Sequence, residues 1–291
     1  RRSLTDFFSS PTYKNYSNRI FQNTIITDLN DNQIIDYNSD VDFYFYDASL
    51  QYQQKIGIKN ELNIDFLVIE NSLDFNQTVA NLSENSKLTQ ENFGSTFRWK
   101  TNWNENNFTE ITAYLSQYDL QSNNKSIEND QILSQRNKVL DYSLKIKSSN
   151  KLSSSFTLNS GYQFNETGVT NFDEINLPIF SRTITNVLLT HAGIVEGIYE
   201  PESKKTLITA GLRANYFDKF GTFLFEPRLQ FNQSITSSVK LEILAEQKSQ
   251  TLSQIIDLQQ DFLGVEKRRW TLANNNTIPI QKSNQVSIGF N

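Results

Sequence analysis

The chain has no cysteine, no methionine and a single histidine among 291 residues. Without cysteine there is no disulfide framework, no thiolate nucleophile and no cysteine-bound metal. With His191 alone, between Thr190 and Ala192, a histidine-containing triad would have to be built on that one residue. Zinc and iron sites lack their usual nitrogen donors. His191 therefore reads as a strand histidine at an interface or lumen, and neither a catalytic residue nor a cofactor is expected. A run of about 18 apolar residues, the minimum for a transmembrane helix, is also missing. No secretory leader is recognisable, and the missing initiator methionine makes an internal piece of a longer protein the expectation. Basic residues are too few for a general nucleic-acid binder: 27 Lys and Arg stand against 32 Asp and Glu, a net charge of -5.

Apolar residues make up only 37% of the chain and mean hydropathy is -0.52, thin for a soluble domain of this length. Disorder is the usual meaning of such polarity. An aromatic fraction of 12% argues against it, and so does the way the aromatics are spaced. From Phe93 to Trp103 one parity reads Phe93, Ser95, Phe97, Trp99, Thr101, Trp103, and the other reads Gly94, Thr96, Arg98, Lys100, Asn102. The same alternation recurs in Tyr44 to Tyr52, Leu62 to Val68, Ile111 to Leu115, Leu140 to Ile146, Phe156 to Phe164, Ile208 to Tyr216, Phe223 to Phe231, Val239 to Ala245 and Val286 to Phe290. A sheet with one apolar face and one wet face follows. Between Asn186 and Tyr199 the parity is ambiguous, because Leu188 and Ile194 compete with Leu189 and Val195.

Connections near 57–60, 104–107, 148–151, 200–205 and 235–238 are short. Those near 76–91, 121–137, 166–184 and 250–283 read as long loops, with Asp218 to Gly221 the one short link on that side. Eleven or twelve strands of roughly 9 to 15 residues and two alternating classes of connection predict an all-β fold: part of a transmembrane antiparallel β-barrel with tight turns at one end and extended external loops at the other. A soluble β-sandwich also alternates, but its strands run to about 5 or 6 residues and its connections do not sort by length. A solenoid needs a fixed repeat, and none is present.

Gly211-Leu-Arg-Ala-Asn-Tyr216, Phe225-Glu-Pro-Arg-Leu229, Trp270-Thr-Leu-Ala-Asn274 and Ser283-Asn-Gln285 with Gly289-Phe290 resemble the barrel of TonB-dependent outer-membrane receptors, particularly those of Bacteroidetes. The resemblance implies a barrel of about 22 strands, an internal plug, and import of a bulky nutrient driven by a TonB-type energy-transducing complex. Outer-membrane lipid is then a partner, and a surface lipoprotein is a further partner the resemblance leaves open. Residues 1–291 are expected to form the middle portion of one such barrel domain, with the plug and closing strands outside them. A surface-exposed β-rich adhesion protein and a passive porin are the competing readings.

Within that frame the lumen-parity charges Arg98, Lys100, Asp141, Lys145, Arg213, Glu226 and Arg228 are the ligand-binding candidates, with a cross-strand ion pair expected between Arg213 and Glu226. Tyr44, Tyr46, Trp99, Trp103 and Phe225 read as membrane-interface aromatics. Asp28, Asp31, Asp36, Asp40 and Asp42 concentrate carboxylates in what reads as an external loop, a weak calcium candidate lacking the glycine and terminal glutamate of an EF-hand loop.

Overall fold

A computed structural model describes residues 37–79, 82–126, 130–256, 268–274 and 276–290. Its strands are β1 (Tyr37–Ile56), β2 (Asn60–Val79), β3 (Leu82–Asn104), β4 (Asn107–Ser126), β5 (Ile132–Lys151), β6 (Phe156–Ile175), β7 (Phe180–Tyr199), β8 (Thr206–Phe217), β9 (Thr222–Ser234), β10 (Lys240–Gln250), β11 (Leu252–Ile256), β12 (Arg268–Leu272) and β13 (Gln281–Phe290). Eleven of them make one antiparallel sheet in the order β1 to β10 and then β13, while β11 and β12 pair only with each other. The sheet is a meander, and within the described residues β1 and β13 end it without meeting.

The expected alternation holds in the register. Leu62 faces Trp99, Ile64 faces Phe97 and Phe66 faces Ser95 across β2 and β3. Trp99 faces Ile111 and Phe97 faces Ala113 across β3 and β4. All lie on one face, where Tyr52, Phe97, Tyr142, Phe225 and Val286 are well exposed. From Phe93 to Trp103 is ten residue steps, about 33 Å along the strand. At the ~40° tilt usual in such walls that is a band of ~25 Å, the height of an outer-membrane barrel's apolar belt.

At the tight-turn end Gly57 takes φ 65° between β1 and β2, a left-handed conformation that a side chain would strain. At Gly161 a Cβ would stand 2.8 Å from the Ile146 carbonyl oxygen, so only glycine lets β5 and β6 approach there.

Two expectations require correction. The segments 76–91, 121–137 and 166–184 are not long loops but the upper halves of continuous strands, β2 to β7 each being 20 to 23 residues long. Above the apolar band polar residues take both parities, so the period-two signal vanishes while the hydrogen-bond ladder continues. Likewise Asp40 and Asp42 stand in β1, opposite Asn76 and Asp74 of β2, and not in a loop. Asp28, Asp31 and Asp36 lie outside the described residues, and no metal-holding carboxylate group occurs among those described.

The tall and short strands divide the wall. β1 to β7 rise far above the tight turns, whereas β8 to β13 run to only 13 residues at most. The 250–283 connection, read as an external loop, carries β11 and β12 as a hairpin that folds back against the tall strands. The two faces predict opposite tolerance to charge. Phe97→Arg on the apolar face is expected to destabilise the folded protein in lipid vesicles by about 2 to 4 kcal/mol, and the adjacent Thr96→Arg by less than about 1 kcal/mol, read by denaturant titration.

Candidate functional site

The face opposite the apolar band is polar and connected. Tyr114 OH donates to Asp141 Oδ2 at 2.7 Å, and Thr167 Oγ1 donates to Asp141 Oδ1 at 2.6 Å. The Tyr114 oxygen accepts from Asn165 Nδ2 at 2.8 Å, and the Asn165 amide oxygen accepts from Ser143 Oγ at 3.3 Å. Ser143 Oγ in turn accepts from Gln163 Nε2 at 2.9 Å. Gln163 Oε1 accepts from Arg213 Nη1 at 2.8 Å, and Arg213 Nε donates to Asn215 at 2.7 Å. Arg213 stands opposite Glu226 in register, its Nε 3.8 Å from Glu226 Oε2. Glu226 Oε1 completes the chain by accepting from the Ser249 amide at 2.9 Å and from the Ser249 hydroxyl. The period-two geometry that sends apolar groups outward thus gathers these side chains, from six strands, into one network.

Of the seven candidate charges, Asp141, Arg213 and Glu226 belong to this network, and the expected Arg213–Glu226 pair is present. Lys145 shares their face between Thr112 and Gln163 in register. Arg228 lies between Gly211 and Glu246. Arg98 and Lys100 sit apart from the network: Arg98 beside buried Asn63 in register, Lys100 with Nζ 4.4 Å from the centre of the Phe108 ring. The aromatics Tyr44, Tyr46, Trp99, Trp103 and Phe225 share the apolar face. Trp99 Nε1 donates to Thr101 at 3.0 Å and Trp103 Nε1 to Thr109 at 2.9 Å. His191 lies on this apolar face too, its Nδ1 2.7 Å from Tyr162 OH and its ring against Phe164.

Sequence reasoning missed the β11–β12 hairpin. β12 lies on the polar face of β5, β6 and β7. The Trp270 amide donates to Asn137 Oδ1 at 3.1 Å, and the Trp270 carbonyl accepts from the side-chain amides of Asn137 and Asn171, each at 3.3 Å. Leu272 packs with Val139, Val169, Leu188 and Phe217 in a small buried cluster, with Tyr118, Leu252 and Trp270 at its edge. This explains the ambiguous parity of β7: Leu188 is a lumen-side residue made apolar by the hairpin it supports, while Val187 and Val195 face outward and are exposed.

Asp173 anchors the hairpin above the apolar band. Its Oδ1 is 2.6 Å from Arg269 Nη2 and accepts from Gln135 at 3.2 Å, and its Oδ2 is 2.8 Å from Arg182 Nη2. Burial alone would raise the carboxyl's pKa, but the hydrogen bonds from Arg269, Arg182 and Gln135 outweigh it and hold the pKa at about 2, below the ordinary 3.8. On the outer face of the tall strands, Asp119 makes a comparable pair with Arg136, 2.8 Å from Nε and 2.5 Å from Nη2. That pair borders a shallow depression of about 360 Å³ lined in part by Lys138, Thr170 and Phe172.

No family model matches the chain, and no curated protein matches it. Among solved structures, the RagAB peptide transporter superposes with a TM-score of 0.60 at 8% identity, over 89% of this chain and 41% of that one. The unliganded ferric citrate transporter FecA gives 0.49 at 11% identity, over 87% of this chain and 46% of that one. BauA, the ferric preacinetobactin receptor of Acinetobacter baumannii, gives 0.48 at 10% identity, over 87% and 51%. The first of these carries the fold: a transmembrane antiparallel β-barrel of the outer-membrane type, of which the described residues supply eleven strands. The chain spans less than half the length of that transporter.

A carboxyl whose pKa is depressed by folding contributes stability that is present above its unfolded pKa and lost as pH falls through the folded one. Docking of the hairpin should therefore be unchanged down to about pH 4 and weaken between about 4 and 2, by the Arg269 share of a total effect on the order of 2 kcal/mol, because Arg182 and Gln135 stay with Asp173 on the wall. The measurement is Trp270 fluorescence quenching with Trp99 and Trp103 replaced by phenylalanine. Asp173→Asn is expected to remove the pH dependence and leave the hairpin looser at neutral pH.

Proposed function

We propose that this chain is the middle portion of the barrel wall of a TonB-dependent outer-membrane receptor that imports a bulky nutrient. The observation that carries the reading is the pairing of the two faces: an apolar band a bilayer high on one side, and on the other a continuous polar network running from Thr167 to Ser249. A bulky polar solute needs such a wall, wet and hydrogen-bonding inside a barrel too wide for side chains to fill. Among the described residues the eleven-strand sheet is open at both edges, which lipid does not tolerate; in this reading closing strands and a plug complete the barrel. The likeness to a transporter more than twice this length supports the same reading.

In this reading Arg98, Lys100, Asp141, Lys145, Arg213, Glu226 and Arg228 line the ligand's path, and Tyr44, Tyr46, Trp99, Trp103 and Phe225 form the interface girdles. A TonB-type complex acts through parts of the protein beyond this chain. A surface lipoprotein over the mouth is compatible with the tall strands, and the Bacteroidetes-like motifs suggest that lineage. No step of catalysis is assigned to the wall.

A passive porin is the competing reading, and energy dependence separates the two. The full-length protein should fractionate with outer membranes, and uptake of its nutrient should collapse when a protonophore removes the proton-motive force. Steady ion conductance in planar bilayers, with uptake indifferent to the protonophore, would establish the porin instead. Recovery in the soluble fraction would overturn both.

A further inference from the structure

The outward face of β5 changes character over one step. Ile146, Leu144, Tyr142 and Leu140 are followed on the same parity by Lys138 and Arg136, Lys138 standing two residues, about 7 Å, beyond Leu140. On β7 the outward row likewise passes from Leu189 and Val187 to Thr185 and Thr183. Leu140 is beside Gly168, and Gly168 beside Val187, in register, so one boundary runs across the three strands. Immediately past it lies the depression of about 360 Å³, whose lining comes from β4, β5, β6 and β7.

That lining is polar and positively charged. Among the described residues Arg136 and Lys138 are its only charged side chains, while Gln121, Ser134, Thr170 and Thr183 place amides and hydroxyls around Phe172. Arg136 is fixed in place. Buried Asp119 accepts from its Nε and from one hydrogen of Nη2, and the arginine side chain stays 43% exposed. Nη1 and the second Nη2 hydrogen find no acceptor among the described residues. Lys138 faces Asp119 in register, yet both Asp119 oxygens are engaged by Arg136, and no described carboxylate stands within ion-pair distance of the ammonium. Glu91, Glu166 and Glu174 share this face but lie outside the lining.

From these observations we infer that the depression binds the phosphorylated sugar headgroup of a lipid lying against the outer wall of the barrel. A guanidinium already oriented by a carboxylate, with an ammonium two residues away, is a donor set matched to phosphate. Hydroxyls and amides around an aromatic ring match the hydroxyls and the C–H face of a sugar. Position selects a lipid over a free solute: the cations stand on one side of the boundary and Leu140 and Val187 on the other. A molecule with an anionic head and an apolar tail satisfies both sides at once. The inference rests on reading the apolar face as the lipid-facing one, and it gives the lipid partner a headgroup chemistry and a place on the wall.

Native mass spectrometry of the full-length protein in detergent tests it, with two probes: lipid A, a glucosamine-disaccharide lipid bearing two phosphates, and the same lipid dephosphorylated. The protein should bind the phosphorylated lipid about tenfold more tightly. Lys138→Gln and Arg136→Gln should each weaken that binding about tenfold. Lys125→Gln, which removes a cation on the same outer face but outside the depression, should leave it unchanged. Lys138→Gln is the decisive variant, because Lys138 has no described carboxylate partner whose loss could disturb the fold. Equal binding of the two lipids, unchanged binding by Lys138→Gln, or displacement of the lipid by millimolar inorganic phosphate would each overturn the inference, the last by assigning the site to a soluble anion. Passive conductance would replace the import reading with a porin, yet leave lipid binding at Lys138 intact, so the two failures are distinguishable.

Discussion

A strand surrounded by hydrocarbon has no water to satisfy its amides and carbonyls, so each must be met by the next strand. That constraint produces the uninterrupted next-neighbour ladder from β1 to β10 and on to β13. It also forces side chains to alternate strictly between two environments. The outward set is apolar because lipid is its solvent, which is why Trp103, Phe223 and Phe225 are more than half exposed in the isolated chain. The inward set is released from any need to be apolar and is used for hydrogen bonding.

Where the inner face departs from polarity, something sits on it. Val139, Val169 and Leu188 form an apolar patch on a wet wall, and the β11–β12 hairpin covers them with Leu272 and Trp270. The polar attachment is equally local. Asp173 accepts from Arg182 of the wall and from Arg269 of the hairpin, so the carboxylate keeps a partner on its own sheet whether or not the hairpin is seated. The hairpin rises from the short side of the wall and leans on the polar face of the tall side.

Much of this was legible in the residues. Alternation at Phe93 to Trp103 gave the correct outward face, and Arg213 with Glu226 could be paired from their matching positions in adjacent strands. Three features were not legible, for physical reasons. In the upper halves of β2 to β7 polar residues such as Asn123, Ser134 and Thr170 take the outward parity that apolar residues hold lower down, so the pattern reads as loop. The hairpin is short, two strands of five residues, and its docking depends on partners more than a hundred positions away, as in the Asn137–Trp270 contact. The mixed parity around Leu188 was the one signal that could have found it. In the Asp119–Arg136 pair, Arg136 fell inside a stretch read as loop and was hidden for the same reason as the strands themselves.

The central claim is that one face of this sheet meets lipid and the other meets water. Residues 1–291 contain no cysteine, so once any cysteine outside them is replaced by serine each introduced cysteine reports alone. Spin labels placed singly from Phe93 to Trp103 of the full-length protein in lipid vesicles should alternate with a period of two. Oxygen should relax them at Phe93, Phe97, Trp99 and Trp103, and a water-soluble nickel chelate at Gly94, Thr96, Arg98 and Lys100. Equal access of the nickel chelate to both sets would contradict the account.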